Sequence, residues 1–153
     1  NIALRYMAEN LGLGYDMFDA IMMAREVQAE NLAKELLRHK LPVVIVGKAY
    51  KPHVHYEDGS YSILVGYYVE RHGAKVYYDD PYTNDKPPAD LGPATYLLGH
   101  DPETTFLGCL DPDPEKKTEM IFPAGSVIVD PWRKCPDVAG CKVIHYGNTR
   151  INK

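Results

Sequence analysis

Aromatic and basic side chains stand next to each other at two places in this sequence. Tyr50 is followed by Lys51, and Trp132 is followed by Arg133. An aromatic ring can stack on a flat heterocycle, whereas Lys and Arg donate charge-assisted hydrogen bonds to phosphate oxygens. The two pairs are therefore suited to binding a base together with its phosphates.

The glycine-rich loop that binds a dinucleotide is missing from this sequence. Residues 11–14 contain Gly-x-Gly, but they follow a predicted helix instead of a strand,. Only Gly47 follows the first predicted strand, so this loop is neither a GxGxxG loop nor a P-loop,. Asp79 stands where an acid could bind a ribose, but without the glycine loop a solvated strand end is the favoured interpretation,.

Other reactive side chains do not form a convincing catalytic or metal-binding pattern. His53 and His55, with Glu57 and Asp58, could bind a metal on an extended segment, although a polar loop at a strand end is the favoured interpretation,. Cys109 has no basic residue close to it in the sequence, so we do not expect it to be a nucleophile,. The sequence predicts no metal site and no catalytic residue, and it assigns no residue to a cofactor.

Length and composition describe an ordinary globular chain. Its 153 residues fit one domain with at most an appendage,. A net charge of −4 argues against nucleic acid or an anionic membrane as the main partner,. No apolar run approaches the ~18 residues of a membrane span,. Three cysteines, an odd number, favour reduced thiols in a cytoplasmic protein, and the first residue, Asn1, suggests a piece of a longer chain,.

The hydrophobic pattern changes from helical to strand-like near Pro42. We expect helices over residues 2–10, 17–39 (capped by Asp16) and 59–72, with a short helix after Asp101,. Apolar, β-branched runs predict strands at residues 43–46, 74–78, 95–98, 126–129 and 142–145,. The predicted fold is α/β: a Rossmann-like open parallel sheet of about five strands with flanking helices, preceded by a long N-terminal helix. Residues 1–40 form the helical segment and residues 41–153 the Rossmann-like domain.

The residues that follow each strand are the place to look for function. An open parallel sheet binds its ligands at the carboxyl ends of its strands, near the point where the strand order reverses. Those positions are residues 47–52, 79–82, 99–101 and 130–133. Both aromatic–basic pairs fall among them.

Five segments, in this order, resemble the UDP-glucose/GDP-mannose dehydrogenase family. Residues 43–52 (VVIVGKAYKP) are similar to the family's apolar strand and Gly-x-Ala-(Phe/Tyr)-Lys motif. The other matching elements are the Gly-Ala-x-Val-x-x-Tyr-Asp-Pro unit at 73–81, the strand before the Thr/Gly-x-His turn at 94–100, the Asp-x-Arg element at 127–133 and the Tyr-x-Gly at 144–147. Residues 1–39 resemble the helices that follow the family's catalytic Cys segment.

The resemblance implies an NAD-dependent oxidation of a nucleotide-sugar alcohol to a carboxylate, through a cysteine thioester. It implies that Tyr50, Lys51 and Arg133 bind the nucleotide sugar. NAD would be bound mainly by a first domain that, like the cysteine nucleophile, is missing here. Residues 1–40 would be the end of a central dimerisation region. A homodimer would form through the long helix, and a second chain would partly bury its side chains Phe18, Ile21, Met22 and Ala29.

Two alternatives belong to other functional classes. The family often has Asp-x-Arg-Glu-Ser after the aromatic–Lys motif, whereas Asp58 takes the place of that Arg here. Either the NAD contacts differ or this chain is a divergent member. One alternative is a non-catalytic module that binds a nucleotide or a sugar phosphate. The other is a flavodoxin-like or receiver-like signalling domain. A receiver needs an acidic pair after the first strand and an Asp after the third, where this chain has Gly47-Lys48-Ala49 and Gly99-His100,.

Overall fold

The computed structural model describes residues 2–14, 16–101 and 122–147. Within them the helices are α1 (Ile2–Asn10), α2 (Met17–Leu37) and α3 (Tyr61–Arg71), and the strands are β1 (Val43–Val46), β2 (Val76–Asp79), β3 (Thr95–Leu98), β4 (Val127–Asp130) and β5 (Lys142–His145). All strands pair in parallel, in the order β2-β1-β3-β4-β5. The predicted α/β fold is confirmed. Cys109 and the short helix expected after Asp101 lie outside the described residues.

Element boundaries differ from the expected ones by one or two residues. The helix predicted over residues 59–72 begins at Tyr61, because the Ser60 hydroxyl caps it by accepting a hydrogen bond from the Ile63 N–H,. Asp16 caps α2 as predicted, accepting from the N–H groups of Phe18 and Asp19. The second and fourth strands are shifted toward the C-terminus, so each now ends on an aspartate.

Helix α2 is much longer than the strands on which it packs. Twenty-one residues span about 31 Å at 1.5 Å per residue, whereas a four-residue strand spans about 13 Å,. Its buried residues, Ala29, Leu32, Ala33 and Leu36, all lie in its C-terminal half, which leads into β1. The N-terminal half therefore extends beyond the carboxyl ends of the strands, a side of the sheet that we call the carboxyl edge. None of the described helices is long and apolar enough to cross a membrane.

The residues expected to face a second chain on α2 differ in burial. Ala29 is completely buried against the sheet and α3 of its own chain, so it offers no surface to a partner. Phe18 and Met22 are partly buried, and Ile21 is exposed. Apolar side chains also stay exposed on α1, which is linked to α2 by an ion pair of 3.1 Å between Arg5 Nε and Asp19 Oδ1.

The sheet separates two apolar clusters because side chains alternate along each strand. Val43 and Ile45 face α2 and α3 in one cluster. Val44 and Val46 face the other side, where Tyr96 packs edge-on against Phe122 with ring centroids 4.9 Å apart. The three interior strands, β1, β3 and β4, are buried at every position, which is why their sequences are mostly apolar,.

The strand order fixes where a ligand can bind. From β1 the chain passes through α3 to β2 on one side, and β3 then returns to the other side of β1. The connections that leave β1 and β3 therefore diverge, which makes a crevice at their carboxyl ends. The segments that follow β1 and β3 at this crevice are residues 47–60 and 99–101.

Candidate functional site

A buried carboxylate holds the loop after β1 in place. Asp80 is only 2% exposed. Its Oδ2 accepts hydrogen bonds from the backbone N–H groups of Lys48 (2.8 Å) and Ala49 (2.9 Å), and its Oδ1 accepts one from Tyr82 N–H (2.9 Å). The end of β2 is thereby tied to the start of the β1 loop. This loop carries Tyr50 and Lys51.

His100, after β3, fixes the same loop from the other side. Its ring Nε2 donates to the Ala49 carbonyl at 2.9 Å, since a carbonyl can only accept,. Gly47 has a φ of +91°, and a Cβ there would lie 2.5 Å from the His100 ring. Only glycine satisfies both the backbone conformation and the close approach. The loop at the crevice is therefore fixed on two sides.

Lys48 has a structural role and Lys51 does not. The Lys48 ammonium pairs with Glu57 (3.1 Å) and Asp85 (3.0 Å). Burial alone would lower the pKa of Lys48, but hydrogen bonds to these two carboxylates outweigh it and raise the pKa,. Lys51 is exposed, and Tyr50 beside it is 58% exposed, with its backbone N–H bonded to the Tyr56 carbonyl at 2.7 Å. The clamped loop thus presents the predicted pair to solvent.

The loop after β4 is also held by a buried aspartate that accepts backbone N–H groups, as Asp80 does after β2. Asp130 is fully buried, and its Oδ1 accepts from Trp132 N–H (2.8 Å). Its Oδ2 accepts from the N–H groups of Lys134 (2.7 Å) and Cys135 (2.8 Å). The Trp132 indole Nε1 donates to the Leu98 carbonyl at 3.0 Å, which turns the ring toward β3.

Arg133 is directed away from the Tyr50–Lys51 pair. It has a φ of +59°, and its Nη2 donates to the Gly147 carbonyl (3.2 Å), just past β5. Strand β4 lies two steps from β1, about 10 Å at the usual strand spacing,. The structure therefore places all three predicted residues along the carboxyl edge and brings only Tyr50 and Lys51 together at the crevice.

The remaining side chains singled out in the sequence have more ordinary surroundings. Asp79 is partly buried instead of solvated, and burial raises its pKa, with Lys86 opposing the shift and Asp80 adding to it. His53 Nδ1 shares a hydrogen bond of 2.7 Å with the Tyr82 hydroxyl. In the described part of the chain, no group of three or more His, Cys, Asp or Glu residues could hold a metal ion. Burial raises the pKa of the Cys135 thiol to about 11, so it is a poor nucleophile near neutral pH,.

A cavity of about 240 Å³ opens beside the crevice, on the side of the sheet covered by α2 and α3. Its walls are built by residues from α2, from the first turn of α3 and from the ends of β3 and β4: Leu32, Tyr61, Ser62, Leu97, Leu98, Gly99, Pro131 and Trp132. The lining of the cavity is mostly apolar.

Sequence reasoning missed several residues that shape this edge, notably Asp80, His100, Ser62 and Arg25. The Arg25 side chain comes from α2, donates to the Gly59 carbonyl (2.8 Å) and lies over the Tyr61 ring, 5.7 Å from its centroid. One signal in the sequence could have revealed the two buried aspartates. An Asp-Pro pair follows β2 and another begins at the last residue of β4, and in both places the aspartate side chain accepts a hydrogen bond from the backbone N–H of the second residue after it,.

The fold and the edge define an open parallel α/β domain with a preformed loop at its switch point, the class of domain that binds ligands beyond its strand ends. No protein-family model matches this chain, and a search of curated protein sequences finds no significant match.

Proposed function

We propose that this chain forms the nucleotide-sugar-binding part of an NAD-dependent nucleotide-sugar 6-dehydrogenase of the UDP-glucose or GDP-mannose type. One observation carries the proposal: an exposed Tyr50–Lys51 pair on a loop that Asp80 and His100 clamp at the switch point. A preformed loop binds more tightly than a flexible one, because less ordering is needed on binding.

The residues of this chain bind and orient the substrate. Lys51 donates to the phosphate oxygens and Tyr50 offers ring surface to the nucleotide sugar, while Arg133 supplies a second cation farther along the edge. The same proposal places the protein in the cytoplasm, where disulfides are rare and Cys135 and Cys141 stay reduced,.

The crevice does not fit NAD. Its β1 loop has no glycine-rich turn to receive a pyrophosphate, and the His100 ring lies against Gly47, the one glycine at the start of that loop,. We therefore assign NAD and the reacting thiol to parts of the enzyme outside these 153 residues, and we expect no dehydrogenase turnover from this chain with any sugar or cofactor.

Calorimetric titration with UDP and GDP tests the proposal. Lys51→Ala removes a charge-assisted contact worth ~1.5–3 kcal/mol, so the affinity should fall roughly tenfold to a hundredfold. The matched control is Lys142→Ala, which removes an exposed lysine at the opposite end of the sheet and should leave the affinity unchanged. Equal affinities for the wild type and Lys51→Ala would refute the assignment of Lys51. The non-catalytic module would be favoured by a different result. It would be favoured if a longer protein that contains this chain, an NAD domain and the thiol bound nucleotides but transferred no hydride.

A further inference from the structure

An arginine of α2 reaches the loop after β1 from a distant part of the chain. Arg25 belongs to the half of α2 that extends past the carboxyl edge. Its Nη2 donates to the Gly59 carbonyl at 2.8 Å, and its guanidinium lies over the Tyr61 ring, 5.7 Å from the centroid. Because the hydrogen bond spans 34 positions of the sequence, it fixes the end of the loop relative to the helix.

The backbone at Gly59 is costly to hold in one conformation. Gly59 is exposed and has a φ of +76°, and glycine loses more conformational freedom on folding than any other residue,. The next residue, Ser60, is anchored, since its Oγ donates to the Lys48 carbonyl at 2.7 Å. A hydrogen bond from a charged donor is stronger than one from a neutral donor. The Arg25 guanidinium is therefore well suited to restrain the Gly59 carbonyl.

The Tyr50 ring lies beside the backbone of Gly59. A Cβ on Gly59 would be 3.8 Å from Cδ2 and 3.9 Å from Cε2 of that ring, which is ordinary van der Waals contact. On another side the Tyr56 ring meets Tyr50 edge-on, with centroids 6.4 Å apart. Since 58% of Tyr50 is exposed, these neighbours matter for where its ring lies. A displacement of Gly59 would remove one of them.

We propose that Arg25 is a positioning residue for Tyr50: by holding the Gly59 carbonyl, it keeps in place the backbone beside which the Tyr50 ring lies. The proposal rests on the function proposed above, in which that ring contacts the nucleotide sugar. Arginine suits this role better than lysine, because one planar group can donate to a carbonyl and also lie over an aromatic ring. Arg25 acts through Gly59 and makes no contact with the ligand.

Calorimetric titration with UDP and GDP measures the effect on binding. Arg25→Met keeps a long side chain but removes the donor and the charge, and it should weaken binding about threefold to tenfold, with Arg25→Lys recovering little of the loss. In a Tyr50→Ala background, which Lys51 should keep able to bind, Arg25→Met should have no further effect, because the ring through which it acts is gone. The matched control is Arg38→Met, which removes an exposed arginine at the opposite end of α2 and should leave the affinity unchanged.

Amide hydrogen exchange tests the loop without a ligand. The Ser60 N–H belongs to the same peptide group as the Gly59 carbonyl, so its exchange should accelerate in Arg25→Met. The N–H groups of Lys48 and Ala49 should keep their rates, because Asp80 holds them independently. Unchanged exchange at Ser60 would overturn the proposal, whatever the titrations show.

Different outcomes separate the two proposals. If UDP or GDP binds Arg25→Met as tightly as the wild type, the positioning role is refuted and the proposed function is not. If Arg25→Met weakens binding by the same factor in the Tyr50→Ala background, Arg25 acts on the ligand without Tyr50, which also refutes the positioning role. If neither nucleotide binds the wild type, both proposals fail, even where exchange at Ser60 accelerates.

Discussion

Replacing Asp80 should loosen the β1 loop selectively. Its carboxylate accepts three backbone N–H groups, of which that of Ala49 is buried and those of Lys48 and Tyr82 are partly buried. In Asp80→Ala the two partly buried groups can reach water, but the buried one is left unpaired at a cost of ~1–3 kcal/mol. With weaker bonding for the other two, we expect the free energy of unfolding to fall by about 2–5 kcal/mol. Asp80→Asn keeps one oxygen and should lose less.

Urea denaturation measures this loss, and amide hydrogen exchange locates it. Exchange at Lys48 and Ala49 should accelerate more than exchange in β3. The neighbouring Asp79→Asn is the matched control, because burial already raises the pKa of Asp79 and folding therefore disfavours its charged form. A neutral residue there should leave stability unchanged or raise it. If Asp80→Ala lies within about 0.5 kcal/mol of the wild type, or Lys48 and Ala49 exchange at their original rates, the clamp is not what holds the loop.

Three further predictions concern other parts of the molecule. We expect a homodimer through the exposed apolar side of α2, so Ile21→Glu should give monomers in light scattering; a wild type that stays monomeric at every concentration would contradict this,. The Cys135 thiol should react with iodoacetamide near neutral pH only after denaturation, and peptide mass spectrometry would reveal any reaction in the folded chain,. Because the pKa of Lys48 is raised in the folded state, its ion pairs contribute fully at neutral pH. The stability difference between the wild type and Lys48→Met should shrink as the pH rises above about 10 in urea titrations, and a constant difference would exclude the ion pairs as its source,.

The fold was predictable because its signals are local. Four consecutive β-branched residues at Val43–Val46 indicate a doubly covered strand, and Asp16 marks the start of a helix, without reference to distant residues,. The five strands and three described helices follow from such signals. The order of the strands in the sheet does not follow from local signals, because it depends on which strands pair although they are far apart in the sequence.

The site was predictable only in part, for the same reason. Tyr50 and Lys51 could be located by their position after a strand. Asp80 acts on Lys48, 32 residues away, and Arg25 acts on Gly59, 34 residues away, so neither role appears in a local pattern. Of two adjacent acids, the sequence analysis singled out Asp79, the last residue of β2, whereas Asp80, the next residue, is buried more deeply.

The position of β1 has a consequence for how the sheet can assemble. It is the first strand in the chain and lies between β2 and β3, so the β1–α3–β2 unit comes together from neighbouring segments, and all later strands must add on the other side. A sheet that lacked its later strands would end in an apolar strand, β1, β3 or β4, and an apolar edge of this kind invites pairing with other chains,. Among the strands that the structure describes, β5 forms the last edge of the sheet, and its exposed Lys142 and His145 make a polar edge that other strands extend less readily,.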